Sequence, residues 1–318
     1  MPKKAMPKFG AIPARPCDSL KHMTGKLQHL GSTISIIIPV RDEPQTARAV
    51  ATVLTQDCLD VVAEILVVGS GIPALPEDAR VVRVETNSAC LPGANRNRGI
   101  ERAKGRNLIF LDADCCPRPG WLCALADALE SVPVVSGAVA LGADGYAATA
   151  YNLTTFSLFR EGLPKGTRPF LPTLTLGVRR EVIDAVGLLD ETLARCEDMD
   201  WTMRMVAGGF SLAFEPRAVV EHRPTTSLRL ALSKWWESGQ VSAGVRRRHR
   251  RGAGGSSALA RCHPLVFGLL SPVLACGATI RVFWSPDSWR HFHTLPLVYA
   301  TKVAWCLGAA RPLGGICQ

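Results

Sequence analysis

The stretch Asn107-Leu108-Ile109-Phe110-Leu111-Asp112-Ala113-Asp114 places an apolar strand-like run directly before two carboxylates separated by one residue. In a sheet of parallel strands, ligands bind beyond the carboxyl ends, and that is where this pair stands. Two aspartates at such an edge offer hard oxygen donors, one for a divalent cation and the other for the same cation or a ribose hydroxyl. Asp-x-Asp taken alone is also the pattern of a helix cap or a solvated turn. The rest of the chain has to decide.

Outward from this run, residues 33–224 alternate short apolar stretches with helical patterns, which predicts an α/β domain with a mostly parallel central sheet. Strands are expected at residues 34–40, 64–68, 81–84, 107–111 and 134–140. A helix after Pro44 carries Ala47, Val50, Val53 and Leu54 on one face, and further helices are expected at 93–104, 121–129, 180–186 and 199–207. Residues 142–167, rich in Gly, Ala and Thr, read as a mobile loop over a site. A short strand at 218–221 ends at His222.

Two more groups carry chemistry. Glu197 and Asp198 open the helix near residue 199, where free amides and the helix dipole keep an aspartate ionised, so Asp198 is a candidate general base. His222 supplies an imidazole that would complete a cation site. Each of these also has a plain reading, a helix N-cap for the acids and a hydrogen-bonded surface residue for the histidine.

Taken in order, the motifs resemble those of family 2 inverting glycosyltransferases, which have the GT-A fold. The likeness covers residues 34–224. IIIPVRDE at 36–43 is similar to the family's first strand and nucleotide-binding loop, GANRNRG at 93–99 to its Ala-Arg-Asn-x-Gly helix, and FLDAD at 110–114 to its metal motif. RREVIDAVGLLDE at 179–191 resembles the segment before the catalytic acid, CEDMDWTMR at 196–204 the Glu-Asp base motif, and Val220 to His222 the late histidine. The resemblance implies that Asp114 and His222 hold Mn2+ or Mg2+ against a diphosphate, with Asp112 beside the metal or the ribose. It implies that Asp198, with Glu197 next to it, deprotonates the acceptor hydroxyl. Arg41, Asp42, Arg96, Asp112 and Ala113 are candidates for contacts to the nucleotide. The expected partners are a nucleotide-sugar donor and an acceptor of open identity: a small molecule, a peptide-derived compound, a lipid or a glycan.

There are two departures from the family pattern. The base-contacting aspartate expected after the second strand is replaced by Gly69, Ser70 and Gly71, which leaves the nucleotide base open. The Gln-x-x-Arg-Trp motif of processive synthases is absent, which implies addition of one or a few sugars. Gly69-Ser70-Gly71 lacks the third glycine of a dinucleotide-binding loop, and Pro73 and Pro76 oppose the helix that should follow. The tail with GSSALARCHP at 255–264 resembles mycofactocin-system glycosyltransferases, and hints at a peptide-derived acceptor.

A chain of 318 residues with 47% apolar composition can bury a large core. The expected organisation is a basic flexible arm at 1–32, a catalytic domain at 33–225, a basic amphipathic linker at 226–258 and an apolar helical segment at 259–318. The net charge of +10 implies an anionic partner. Arginines 246, 247, 248, 250 and 251 precede the apolar segment, and tryptophans 284, 289 and 305 fall near the ends of its two apolar stretches, which points to an anionic membrane surface on the cytoplasmic face. No zinc-finger spacing or aromatic RNA-binding signature supports nucleic acid as the partner. The eleven cysteines form no CxxC pair and no secretory leader is recognised, so reduced thiols are expected. The alternative to catalysis is a degenerate GT-A scaffold, and after it a basic nucleic-acid-binding protein.

Overall fold

The structure is a computed structural model that describes residues 34–140, 142–249 and 264–311. The basic stretch before residue 34, Arg250, Arg251 and almost all of the GSSALARCHP segment lie outside the described residues. The described residues fall in one compact unit.

Its first half follows the apolar pattern closely. Strand β1 (Ile34–Arg41) is followed by helix α1 (Thr46–Leu54), β2 (Val62–Ser70), β3 (Val81–Glu85), α2 (Pro92–Arg102) and β4 (Asn107–Leu111). Strand β1 buries Ile36, Ile37 and Ile38 completely, because helices and neighbouring strands cover both of its faces. Strands β2 and β4 flank it in parallel register, with β3 outside β2. Asp112 and Asp114 therefore follow a central strand at the carboxyl edge of this parallel half.

The second half departs from expectation. It contains β5 (Cys115–Pro117), α3 (Trp121–Ser131), β6 (Val134–Val139), α4 (Tyr146–Thr155), β7 (Gly166–Thr167), β8 (Thr175–Arg179), α5 (Arg180–Val186), α6 (Glu197–Ala207) and β9 (Ala213–His222). The nine-stranded sheet runs β3-β2-β1-β4-β8-β6-β9-β5, with β7 also on β9. Strand β8 is antiparallel to both β4 and β6, and β5 and β7 are antiparallel to β9. The sheet is thus mixed rather than mostly parallel. The physical reason is that apolar periodicity fixes which residues of a strand are buried but not the direction in which the strand runs, and β8 inserts between β4 and β6 against both. The expected mobile loop at 142–167 likewise contains helix α4 and strand β7. Helix α4 buries Ala148, Ala150, Asn152, Leu153 and Thr154, so it is a packed element, with packing overriding its weak periodicity.

After β9 come α7 (Leu228–Arg248), α8 (Pro264–Leu269), α9 (Ser271–Val282) and α10 (Leu295–Ala309). Helices α7 and α10 approach through two glycines: a Cβ on Gly239 would run into the Trp305 carbonyl, and one on Gly308 into that of Trp236. Ala150 and Leu153 of α4 share one buried cluster with Val282, Phe283, Leu297 and Val298. No helix among the described residues is long and apolar enough to cross a membrane. Arg246 stacks over Phe170 at 6.0 Å and Arg248 pairs with Asp190 at 3.3 Å, so part of the arginine run serves internal packing.

The expectation of uniformly reduced thiols fails at one pair. Cys58 and Cys123 form a disulfide with Cα atoms 5.7 Å apart. The Gln56 side chain explains the approach: it receives the Leu122 amide and donates to the Pro117 carbonyl, which seats the chain after α1 on the start of α3. A separation of 65 residues hides that contact from any sequence spacing.

Candidate active site

The buried helix α2 organises the site. Asn95 donates to the Val40 carbonyl at the end of β1, and Asn97 exchanges bonds with the backbone of Leu189 and donates to Glu191. Between them Arg96 gives one terminal nitrogen to Asp112 and the other to Glu197, both at 2.7 Å. The motif GANRNRG is therefore a three-way tie joining β1, the Asp-x-Asp turn and the start of α6. Arg96 Nε is buried without a hydrogen-bond partner. With both terminal nitrogens engaged, Arg96 acts on the two carboxylates of the site.

Asp114 and His222 converge because of strand register. Strands β5 and β9 pair antiparallel with Cys115 opposite His222, and the Arg223 amide donates to the Asp114 carbonyl at 3.0 Å. His222 Nε2 lies 3.2 Å from Asp114 Oδ2, with the imidazole 8% exposed. Asn152 sets the tautomer. Its Nδ2 donates to the His222 carbonyl at 2.9 Å, so its Oδ1 faces Nδ1 at 2.6 Å, and Nδ1 must carry the proton. In the neutral ring Nε2 then presents a lone pair to a carboxylate. Two acceptors at that distance hold together only through a shared cation, a proton or a metal ion. Burial raises the Asp114 pKa, but the neighbouring His222 outweighs it and holds the carboxyl below its ordinary value.

Asp112, Ala113 and Asp114 line a cavity of about 190 Å3 together with Arg41, Glu43, Asn95 and Arg96. Asp42 stands next to it with φ 51°, its backbone bonded to Ser70. Its carboxylate occupies the space that a side chain at Gly71 (φ +61°) would need, so Gly71 serves both the turn and this close approach.

Glu197 and Asp198 open α6 after Cys196, whose φ of 60° turns the chain into the helix. The N-cap position of α6 is Cys196 and no side chain caps the helix, so Asp198 is not the expected cap, although it accepts from the adjacent Met199 amide at 2.7 Å. It is nevertheless not held fully ionised: burial, with the charge of Glu197 added, raises its pKa to about 7, and Arg96 only partly opposes this. The helix dipole is outweighed by desolvation.

Three residues of the site had no signal in the sequence. Asn152 and Tyr151 come from the stretch read as a loop, and the Tyr151 ring lies 6.2 Å from that of His222. Lys234 of α7 places its ammonium 5.3 Å over the Tyr151 ring. Burial, then Arg195, lowers its pKa, while Asp114, Glu237 and Glu43 pull the other way. A tyrosine-asparagine pair among Gly, Ala and Thr, and a lysine beyond the motif region, have no spacing that marks them.

The donor set fits a divalent ion that a ligand completes. Among the described residues no group of three or more His, Cys, Asp or Glu side chains would hold a metal by itself. Asp114 and His222 would supply two ligands, and substrate phosphates would have to provide the rest.

An open sheet with carboxylates and an imidazole gathered at its strand ends defines the class as GT-A-like. In agreement, the mannosyltransferase PcManGT from Pyrobaculum calidifontis, solved with GDP-Man and Mn2+, superimposes with a TM-score of 0.55 at 16% identity, over 85% of this chain and 86% of that one. Residues 35–187, just under half of the chain, match the model of glycosyl transferase family 2, which supports a family 2 glycosyltransferase. Two curated relatives align: the pre-mycofactocin glycosyltransferase of Mycobacterium tuberculosis (strain CDC 1551 / Oshkosh), 29% identical over 62% of this chain and 44% of that protein, and glycosyltransferase AglE of Haloferax volcanii, 31% identical over 57% and 64%. The chain thus spans about half the length of the mycobacterial relative. Glu197, Asp198 and His222 lie beyond the matched family region.

Proposed function

We propose that this chain transfers a sugar from a nucleoside-diphosphate donor to an acceptor hydroxyl by a metal-assisted, inverting and non-processive displacement. The observation that carries the reading is the Asp114–His222 pair, with its tautomer set by Asn152, at the edge of a cavity that Arg41 and Asp112 also line. A bound Mn2+ or Mg2+ would neutralise the negative charge that grows on the departing diphosphate. Asp114 and His222 would hold that ion, and Asp112, fixed by Arg96, would face the ribose or the ion. Asp42, brought over Gly71, is our candidate for the base contact in place of the aspartate missing after β2. Asp198 would accept the proton of the acceptor hydroxyl, and a pKa of about 7 suits a base working near neutrality. Attack from the face opposite the leaving group inverts the anomeric centre. The GDP-Man of the PcManGT structure and the pre-mycofactocin of the mycobacterial relative's name give the first compounds to try.

The test is hydrolysis and transfer with GDP- and UDP-sugars in the presence of Mn2+, comparing wild type with Asp114→Ala. Loss of metal-dependent turnover, on the order of a hundredfold or more, is expected for the variant. Robust turnover by Asp114→Ala removes the metal role. A wild type that binds nucleotide but turns over no donor returns the chain to a scaffold.

A further inference from the structure

Helices α8 and α9 bury one face and leave the other bare. Phe267, Ser271, Ala275, Thr279 and Val282 point inward. Val266, Leu269, Leu270, Val273 and Ile280 point outward, Leu269 81% and Val273 69% exposed. Within α9, Val273, Cys276, Gly277 and Ile280 share one side by helical spacing, and none carries a polar amide or a charge. Trp284, 76% exposed, continues this side just past the helix, followed by Trp289 at 63% and Phe292 at 57%. The Trp289 indole N–H already donates to the Phe283 carbonyl, so what its ring offers outward is apolar surface. Monomeric soluble proteins rarely leave so continuous an apolar face to water.

We propose that this face docks into the surface of an anionic bilayer, with α9 lying in the plane of the interface. The charges choose this occupant. Residues 264–311 contain Arg281, Arg290, Lys302 and Arg311 against Asp287 alone. Arg281 and Arg290 are exposed on the rim of the apolar face, and neither forms an ion pair within the described residues. A protein partner is ordinarily met by a rim of both signs, whereas apolar residues bordered by arginine and flanked by tryptophan match the boundary between acyl chains and anionic headgroups. No helix among the described residues is long and apolar enough to span, and α9 with its one exposed apolar side suits in-plane seating. Val282 and Phe283 pack with Ala150 and Leu153 of α4, the helix whose Asn152 orients His222, so docking holds the cleft at a fixed attitude to the bilayer. This inference stands whether or not the chain transfers sugar.

The experiment is flotation of the full-length protein with vesicles of phosphatidylcholine alone and of phosphatidylcholine mixed with phosphatidylglycerol. The wild type is expected to float with the mixed vesicles and much less with the neutral ones. The double variant Val273→Glu, Ile280→Glu should lose about tenfold or more of its bound fraction, and Arg281→Glu, Arg290→Glu should erase the preference for anionic lipid. All four positions are exposed, so melting temperature and near-ultraviolet circular dichroism should match wild type and separate lost docking from lost folding. Wild type that stays unbound with both vesicles overturns the proposal, as does unchanged flotation of Val273→Glu, Ile280→Glu. A concentration-dependent dimer abolished by that variant, without flotation, assigns the face to a second copy of the chain and equally overturns it.

Discussion

At the residue scale, Asp198 carries the sharpest expectation. Its carboxyl has a pKa of about 7 in the folded protein against an ordinary 3.8, because burial and Glu197 both oppose the charge. The unfolded chain therefore binds fewer protons than the native one between those two values, and this group's contribution to stability is lost as pH rises through that window. Asp198→Asn removes the loss, so its melting temperature should exceed that of wild type above pH 7. The same variant should lower kcat by roughly 10^2 to 10^4. In the wild type, log kcat/KM should climb with unit slope and level near pH 7, read from a pH-rate profile at saturating Mn2+. A flat profile down to pH 5 would exclude Asp198 as the titrating base.

At the element scale, the contact between α7 and α10 depends on Gly239 and Gly308 having no side chain. Backbone carbonyls, which do not yield as side chains do, occupy the space a methyl would need. Gly239→Ala should cost about 1–3 kcal/mol in urea unfolding. Gly277→Ala is the control: a Cβ there meets nothing within 4 Å, and removing a helical glycine should stabilise by roughly 0.5–1 kcal/mol. Equal effects at the two positions would mean that the helices do not approach as described.

At the scale of the whole molecule, the helices after β9 reach the site through α4. Ala150 and Leu153 face the C-terminal helices, while Asn152 faces His222. Arg195 and Glu237, paired at 2.8 Å, tie α7 to the loop before α6. The Cys58–Cys123 bond closes a separation of 65 residues, and by loop entropy contributes about 4 kcal/mol. Cys58→Ser with Cys123→Ser should lower the melting temperature, and reduction of the wild type should reproduce the shift. Melting temperatures that are the same with and without reductant would show that the thiols do not pair in solution.

The sequence alone determined the parallel half of the sheet, the position of Asp112 and Asp114 at its edge, and the helix that Glu197 and Asp198 open. Each of these is written in neighbouring residues, as apolar runs ended by acids or closed by glycine, and short-range order decides it. Only the tertiary structure decided that β8 inserts antiparallel, that Cys58 meets Cys123, that Arg96 joins Asp112 to Glu197, and that Asn152 sets the proton on His222. Those contacts join residues with no common period, and their energies come from burial and from pairing polar groups that burial would otherwise leave unsatisfied. The raised pKa of Asp198 belongs with them: a helix start favours its charge, but the depth at which packing places it decides how much of that charge survives.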